Sequence, residues 1–242
     1  ERVTSGVTYK GMLNAIGAPV SIITTMVVMF LLAVNIIVLP QGWMYIGIVG
    51  LAAIVSVIEA LFIRKAKVIF PIIFSFMLLT SATELVTNQW LNALLGNKGV
   101  SPMLILALIS GIMAVGRFFA GQLIHRINPT GVLLFSAILS AIGIYTLSIV
   151  DSTAMTFVGA IIFAIGVTYF WPTMLGFTSE YNPRSGAMGL SLLGGAGFVS
   201  TAMFLPVMGR VMETSGTDVA LQSIGLLPLI LIVGFAILFS VY

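Results

Sequence analysis

Eight long apolar stretches constrain the fold of this chain more than any other feature. They lie near residues 12–38, 43–63, 68–95, 101–124, 130–149, 153–176, 186–210 and 220–242. A helix needs about 20 apolar residues, each rising about 1.5 Å, to cross the hydrocarbon core of a bilayer. Lipid offers no partner to unbonded backbone groups, and these runs are continuous rather than alternating. The sequence therefore predicts an all-α polytopic transmembrane bundle of about eight spans.

The composition is that of a chain lying almost entirely in lipid. Hydrophobic residues make up 60% of it and charged residues 7%, and the mean hydropathy is +1.19; soluble domains carry roughly 25% charged residues. The sequence contains no cysteine, which excludes disulfides, cysteine-zinc clusters and thiol catalysis. The basic residues are scattered and the net charge is only +3, so we predict no nucleic-acid partner, no cofactor and no metal site.

The distribution of basic residues predicts an orientation in the bilayer. If residue 1 is cytoplasmic and every stretch crosses once, eight of the ten Lys and Arg residues fall on the cytoplasmic side. These are Arg2, Lys10, Arg64, Lys65, Lys67, Arg117, Arg126 and Arg184, whereas Lys98 and Arg210 fall outside. Such a bias is typical of multi-pass proteins. It predicts a protein of the cell (inner or plasma) membrane, with residue 1 and the C-terminus cytoplasmic.

Glu84 lies deep inside the third apolar stretch. A carboxylate at that depth is costly unless it is paired, protonated or hydrated, so it usually faces a cavity or a partner. Thr80, Glu84 and Asn88 are spaced four apart and are predicted to share a helix face. We expect Glu84 to carry a coupling proton. The alternative is a structural hydrogen bond between helices.

Asn88, Gln89 and Trp90 follow Glu84 as a polar and aromatic continuation of the same segment. Amides bond to hydroxyl groups and an indole packs on the apolar face of a sugar ring, so these residues are candidate ligands of a polyhydroxylated solute. Trp90 could instead anchor the helix at the membrane interface. The sixth stretch adds Tyr169 and Trp171 as candidate binding residues.

Pro172 follows these aromatic residues in the sixth stretch. A proline at membrane depth weakens the local helical bonding, and neighbouring groups must bond the carbonyl that it frees. An aromatic belt is the alternative interpretation of Tyr169 and Trp171.

Arg117 lies near the cytoplasmic end of the fourth stretch and needs an acceptor. Glu180, at the end of the sixth stretch, is the predicted partner, and an ion pair there could lock one conformation of a moving bundle. Gly116 and Gly121, five residues apart, are expected to allow close approach of a neighbouring helix. With Arg126 these residues form a predicted cytoplasmic gate. The alternative is that Arg117 snorkels to the headgroups.

The segment Gly-Arg-Phe-Phe-Ala-Gly-Gln-Leu-Ile-His-Arg at 116–126 resembles the cytoplasmic loop signature of the major facilitator superfamily. The segments Thr-Glu-Leu-Val-Thr-Asn-Gln-Trp at 83–90 and Tyr-Phe-Trp-Pro-Thr-Met-Leu-Gly-Phe at 169–177 are similar to the C-terminal half of bacterial sugar-permease-like members. So is Asn-Pro-Arg-Ser-Gly-Ala-Met-Gly-Leu at 182–190. One departure is His125, which stands where the signature usually carries an acid.

This resemblance implies a domain organisation. Residues 68–242 would be a six-helix C-terminal half, residues 12–67 two extra transmembrane helices, and residues 1–11 a cytoplasmic loop after an N-terminal half that this sequence lacks. The superfamily works by alternating access, in which two halves rock around a central site lined by the first and fourth helices of each half. Here those helices carry Glu84, Asn88, Gln89, Tyr169 and Trp171.

The sequence therefore favours a secondary transporter that moves a sugar or similar small polar solute, coupled to a proton or another cation. A drug or metabolite efflux carrier of the same superfamily is a second hypothesis, and a membrane sensor or scaffold without flux is a third. An enzyme is not predicted, because the membrane-depth segments offer no metal-ligand cluster, Ser/His pair or paired carboxylates.

Overall fold

The computed structural model describes residues 7–17, 21–24, 26–28, 69–95, 100–121, 128–149 and 152–241. In these ranges all regular elements are helical. We number the α-helices in chain order as α1 Tyr9–Ile16, α2 Ile69–Ser81, α3 Thr87–Leu95, α4 Pro102–Phe118, α5 Pro129–Ile149, α6 Thr153–Thr168, α7 Phe170–Tyr181, α8 Gly186–Ser215 and α9 Thr217–Val241. A π-helical turn, Ala82–Val86, joins α2 to α3, and a 3₁₀ turn, Pro183–Ser185, precedes α8.

Five helical stretches of the described chain are long and apolar enough to cross a membrane. They are Ile69–Leu91, Pro129–Ile149, Thr153–Tyr181, Pro183–Ser215 and Thr217–Ser240. The segments Tyr9–Ile16 and Ser21–Val28 make a sixth if they form one crossing, and α4 is apolar but shorter. The predicted all-α fold is confirmed over the described residues, and several of their helices are long and apolar enough to span a membrane. The predicted span near 43–63 and most of the one near 12–38 lie outside the described residues.

The chain divides into two compact units. The first combines Glu1–Leu78 with Phe177–Met203, and the second combines Leu79–Gly176 with Phe204–Tyr242. In the first unit, Val199 packs among Met26, Val28, Leu78 and Met203. The Ser200 hydroxyl donates to the Leu78 carbonyl at 2.8 Å.

In the second unit, α5 and α6 form an antiparallel hairpin that packs against α4 and α9. Small residues let the two hairpin backbones approach closely: Gly143 lies against the backbone of Phe163, and Gly166 lies against that of Ser140. Close contact of this kind is the usual way membrane helices gain packing energy, because lipid gives them no hydrophobic drive to associate.

In the first unit, a side-chain hydrogen bond connects α1 to the residue that directly precedes the 3₁₀ turn. The Thr8 side chain accepts from the Gly11 N–H at 3.3 Å and caps the start of α1. Gly17, at φ 81°, ends the helix in a conformation that favours glycine. Asn182, only 3% exposed, donates its Nδ2 to the Ala15 carbonyl at 3.1 Å. A side chain from the turn thus bonds a carbonyl in the last turn of α1, where helical partners are lacking.

Replacing Asn182 by alanine is expected to release α1. The Ala15 carbonyl is buried, and leaving it without a donor costs about 1–3 kcal/mol. Hydrogen–deuterium exchange of residues 9–16 measures the effect, which we expect to be faster exchange there than in the unchanged chain. Asn128→Ala is the control, because Asn128 is exposed in the second unit. Equal exchange in α1 for both variants would contradict the assigned tether.

Candidate functional site

The candidate site begins at the π-helical turn that contains Glu84. Each hydrogen bond of a π-helix spans five residues instead of four, and single turns of this kind recur at functional sites. The predicted face at spacing four therefore does not continue unchanged from Thr80 through Glu84 to Asn88. The wider turn changes the angular position of the residues that follow it, and Glu84 within the turn is buried.

Glu84 is buried and ion-paired. Its Oε1 accepts from the Arg117 guanidinium (NH2) at 2.8 Å; the Glu84 side chain is 5% exposed and the Arg117 side chain 37%. A bond between two charged groups at this distance is among the stronger hydrogen bonds of proteins. The second carboxylate oxygen, Oε2, is buried and has no bonding partner among the described residues. One carboxylate oxygen is thus paired with a charged donor, and the other could accept a further hydrogen bond.

The same arginine also bonds a backbone carbonyl at the C-terminal end of α6. Arg117 Nε donates to the Thr168 carbonyl at 3.2 Å. In a continuous helix that carbonyl would accept from the N–H of residue 172, but residue 172 is proline and has none. α6 ends at Thr168, and the helix resumes at Phe170 with Thr173 N–H donating to the Tyr169 carbonyl at 3.1 Å. The predicted freed carbonyl is present, and Arg117 is its donor.

Gly116 gives α4 the close approach that this contact requires. A Cβ at Gly116 would lie 2.6 Å from Thr168 Cγ2 and 3.5 Å from the Tyr169 hydroxyl oxygen. Thr168 cannot turn aside freely, because it is buried and its own hydroxyl donates to the Ala164 carbonyl at 2.5 Å. At Gly121 an added Cβ would meet no atom of the described residues within 4 Å. The expected close approach is therefore found at Gly116, and at Gly121 the described residues show none.

We expect Gly116→Ala to destabilise the second unit by about 1–2 kcal/mol, because the added methyl group forces α4 away from Thr168. Gly121→Ala is the control: Gly121 lies three residues beyond the end of α4, and no described atom lies within 4 Å of an added Cβ there, so we expect the change to be neutral or slightly stabilising. Thermal unfolding of both variants in detergent measures the difference. Similar melting temperatures for the two variants would show that the contact at Gly116 is unimportant.

Unpartnered buried polar atoms concentrate in the two segments that the sequence singled out. In the described part of the chain, buried side-chain N and O atoms without a hydrogen-bond partner are Ser81 Oγ, Glu84 Oε2, Thr87 Oγ1, Asn88 Oδ1, Trp90 Nε1, Ser136 Oγ, Trp171 Nε1 and Thr173 Oγ1. All but Ser136 lie within 81–90 or 171–173. Such groups are rare in native proteins; ordered water, a bound ion, stored strain or a functional role explains them.

The predicted binding residues differ in exposure. Asn88, Trp90, Tyr169 and Trp171 are half-buried, whereas Gln89 is exposed. Trp90 packs near α8, where its Cζ2 would lie 3.4 Å from a Cβ at Gly209. Asn88, Trp90 and Trp171 each contribute an atom to the group of buried, unpartnered polar atoms, whereas Gln89 does not.

The predicted cytoplasmic gate as a whole stays a prediction. The expected acceptor of Arg117 is Glu180, but the structure gives Arg117 two others, Glu84 and the Thr168 carbonyl. Glu180 is exposed and belongs to the first unit. Arg126 lies outside the described residues, so its role stays a prediction.

Sequence reasoning missed the Glu84–Arg117 pair although it singled out both residues. Arg117 lies about 22 Å along α4 from Pro102, and Glu84 about 16 Å before Leu95, at 1.5 Å per residue. A single long side chain can bridge that difference in depth between two consecutive antiparallel spans. Comparing the distance of each residue from the loop that joins the two spans would have predicted the pair.

The described residues contain no group of three or more His, Cys, Asp or Glu side chains that could hold a metal ion. In comparisons with protein-family models, with curated proteins and with solved structures, nothing matches this chain.

Proposed function

We propose that this chain is part of a secondary transporter that moves a sugar-like small polar solute by alternating access, coupled to a proton or another cation. The observation that carries the proposal is the ion pair between the buried Glu84 and the partly exposed Arg117, which lies among apolar helices and also bonds a helix break. Charged groups inside spanning helices are costly, and they typically mark ion and substrate pathways.

The unpartnered polar atoms support the solute class. The indole N–H groups of Trp90 and Trp171 are donors, and Asn88 Oδ1 and Glu84 Oε2 are acceptors. Hydroxyl groups of a solute both donate and accept, so a polyhydroxylated molecule could bond both kinds. An indole face adds apolar contact with a ring. An efflux carrier for apolar compounds would have little use for such a set.

Interrupted helices support the alternating-access mechanism. The π-turn before α3 and the break between α6 and α7 both occur within stretches long enough to span a membrane. Discontinuous spanning helices near the membrane centre are a recurring feature of substrate and ion sites in transporters. The proposal includes the finer architecture inferred from the sequence: eight spans, residues 68–242 as the C-terminal half of a major facilitator superfamily protein, and cytoplasmic ends.

Transport by the full-length protein in proteoliposomes tests the proposal. A panel of radiolabelled mono- and disaccharides is screened first by counterflow, which requires alternating access but no ion gradient. Gradient-driven accumulation with a lumenal pH indicator, in the presence and absence of sodium, then identifies the coupling ion. Counterflow of an apolar drug panel alone would favour efflux, and solute binding without counterflow would favour a sensor.

Glu84→Gln is expected to keep counterflow and lose accumulation against a gradient, because the amide cannot exchange a proton or balance a cation. Glu213→Gln is the matched control, since Glu213 is an exposed carboxylate of α8. Accumulation by Glu84→Gln at the level of the unchanged protein would remove Glu84 from the coupling mechanism.

A further inference from the structure

Arg117 forms hydrogen bonds to two structural elements that the proposed transport mechanism has to couple. One is the π-turn with Glu84, the proposed ion-coupling residue. The other is the helix break after Thr168. Tyr169 follows this break directly, and Trp171 lies three residues after Thr168. A single guanidinium bonds both, through NH2 on one side and Nε on the other. One side chain thus connects the ion-coupling carboxylate to the backbone that directly precedes the aromatic candidate ligands.

We propose that Arg117 transmits the charge state of Glu84 to the helix break that carries Tyr169 and Trp171, and that Pro172 is the positioning residue that keeps the Thr168 carbonyl available to Arg117. This inference rests on the proposed transport function, because it assigns the route by which the ion site and the solute site are coupled.

The chemistry of the three partners supports this route. The guanidinium is planar and always charged, and its donors are fixed in one plane, so its bonds to Glu84 and Thr168 constrain each other's geometry. When Glu84 becomes neutral, its carboxyl can still accept from Arg117, but the bond loses the attraction between opposite charges and becomes much weaker. The position of Arg117, and with it the anchoring of the break, then changes. Coupling between sites needs a contiguous physical element of this kind.

Pro172 has a specific part in the arrangement. With an N–H at position 172, the Thr168 carbonyl could accept the ordinary helical bond, and Arg117 would have to compete for it. Proline removes that competitor. Pro206 and Pro228 also lie inside helices, α8 and α9, and they provide controls for the general effect of removing a proline from a spanning helix.

Trp171 offers a reporter that needs no substrate. In full-length protein with every other tryptophan replaced by phenylalanine, acrylamide quenching of Trp171 emission is measured in detergent. We expect Glu84→Gln, which mimics the neutral acid, to raise the quenching constant, because it loosens the break beside Trp171. We expect Glu213→Gln to have no effect. No rise in Glu84→Gln would overturn the proposal.

The decisive comparison combines Glu84→Gln with a second substitution and asks whether the rise in Trp171 quenching is lost. The effect of Glu84→Gln should disappear in Pro172→Ala and in Arg117→Lys, since lysine keeps the charge but not the two-sided bonding. It should persist in Pro206→Ala. Persistence of the full response in Pro172→Ala or in Arg117→Lys would overturn the proposed route.

Folding and transport are tested separately from this link. Size-exclusion profiles establish that each variant is folded. If Glu84→Gln is not, Glu84→Asp takes its place, because it withdraws the carboxylate by one methylene and should produce a smaller rise with the same background dependence. A Trp171 response that requires Arg117 and Pro172, together with no counterflow of any solute, would sink the proposed function and leave the link intact.

Discussion

Arg117→Gln is expected to destabilise the second unit by about 2–4 kcal/mol, toward the lower end of the range for breaking a buried ion pair. The variant leaves the buried Glu84 carboxyl without its charged partner, and it removes the charged donor from the Thr168 carbonyl. The cost is smaller than for a fully buried pair, because about a third of the Arg117 side chain is exposed and therefore partly screened. The melting temperature in detergent measures it.

The double variant Arg117→Gln/Glu84→Gln makes that prediction specific. With both charges gone, no buried carboxylate is left uncompensated, and we expect much of the lost stability to return. Replacing both partners of a buried pair is often nearly neutral, whereas removing one is not. A double variant that melts at or below the temperature of Arg117→Gln would show that the loss has another origin.

The residues that matter at the candidate site were visible in the sequence, but their pairing was not. Burial cost alone singled out Glu84, and proline chemistry predicted a freed carbonyl before Pro172. The π-turn had no sequence signal, because it depends on how Ala82–Val86 packs against neighbouring helices. Arg117 was assigned to Glu180 because the sequence gives the depth of each residue only roughly.

The helices were more predictable than the site, because lipid requires each spanning segment to satisfy its own backbone. The spans near 68–95, 130–149, 153–176, 186–210 and 220–242 each correspond to a helical stretch of the structure. Tertiary approach was less predictable. The abundance of glycine indicated close helix packing but did not distinguish Gly143, which meets a backbone, from Gly111, which meets nothing within 4 Å.

Gly143→Ala is expected to be among the most damaging single changes in the second unit, with a cost of about 3 kcal/mol, the upper end for overpacking. A Cβ there would lie 2.5 Å from Phe163 Cα, and a backbone atom cannot move aside as a side chain can. Relief requires α5 and α6 to separate along the hairpin. That would also disturb the contact of Gly166 with Ser140 and of Gly159 with Leu147.

Gly111→Ala is the matched control, because it adds the same methyl group to open space on α4 and improves helix propensity by up to about 1 kcal/mol. SDS-induced unfolding of the two variants separates the cost of collision from the general effect of replacing glycine in a spanning helix. We expect a lower midpoint for Gly143→Ala and an unchanged or higher one for Gly111→Ala.

α6 ends at Thr168, whose carbonyl accepts a hydrogen bond from Arg117. Separating the α5–α6 hairpin at Gly143 should therefore also weaken this hydrogen bond at the helix break. Gly143→Ala should then raise the quenching of Trp171 as well, whereas equal midpoints for the two variants would mean that the close α5–α6 approach contributes little to stability.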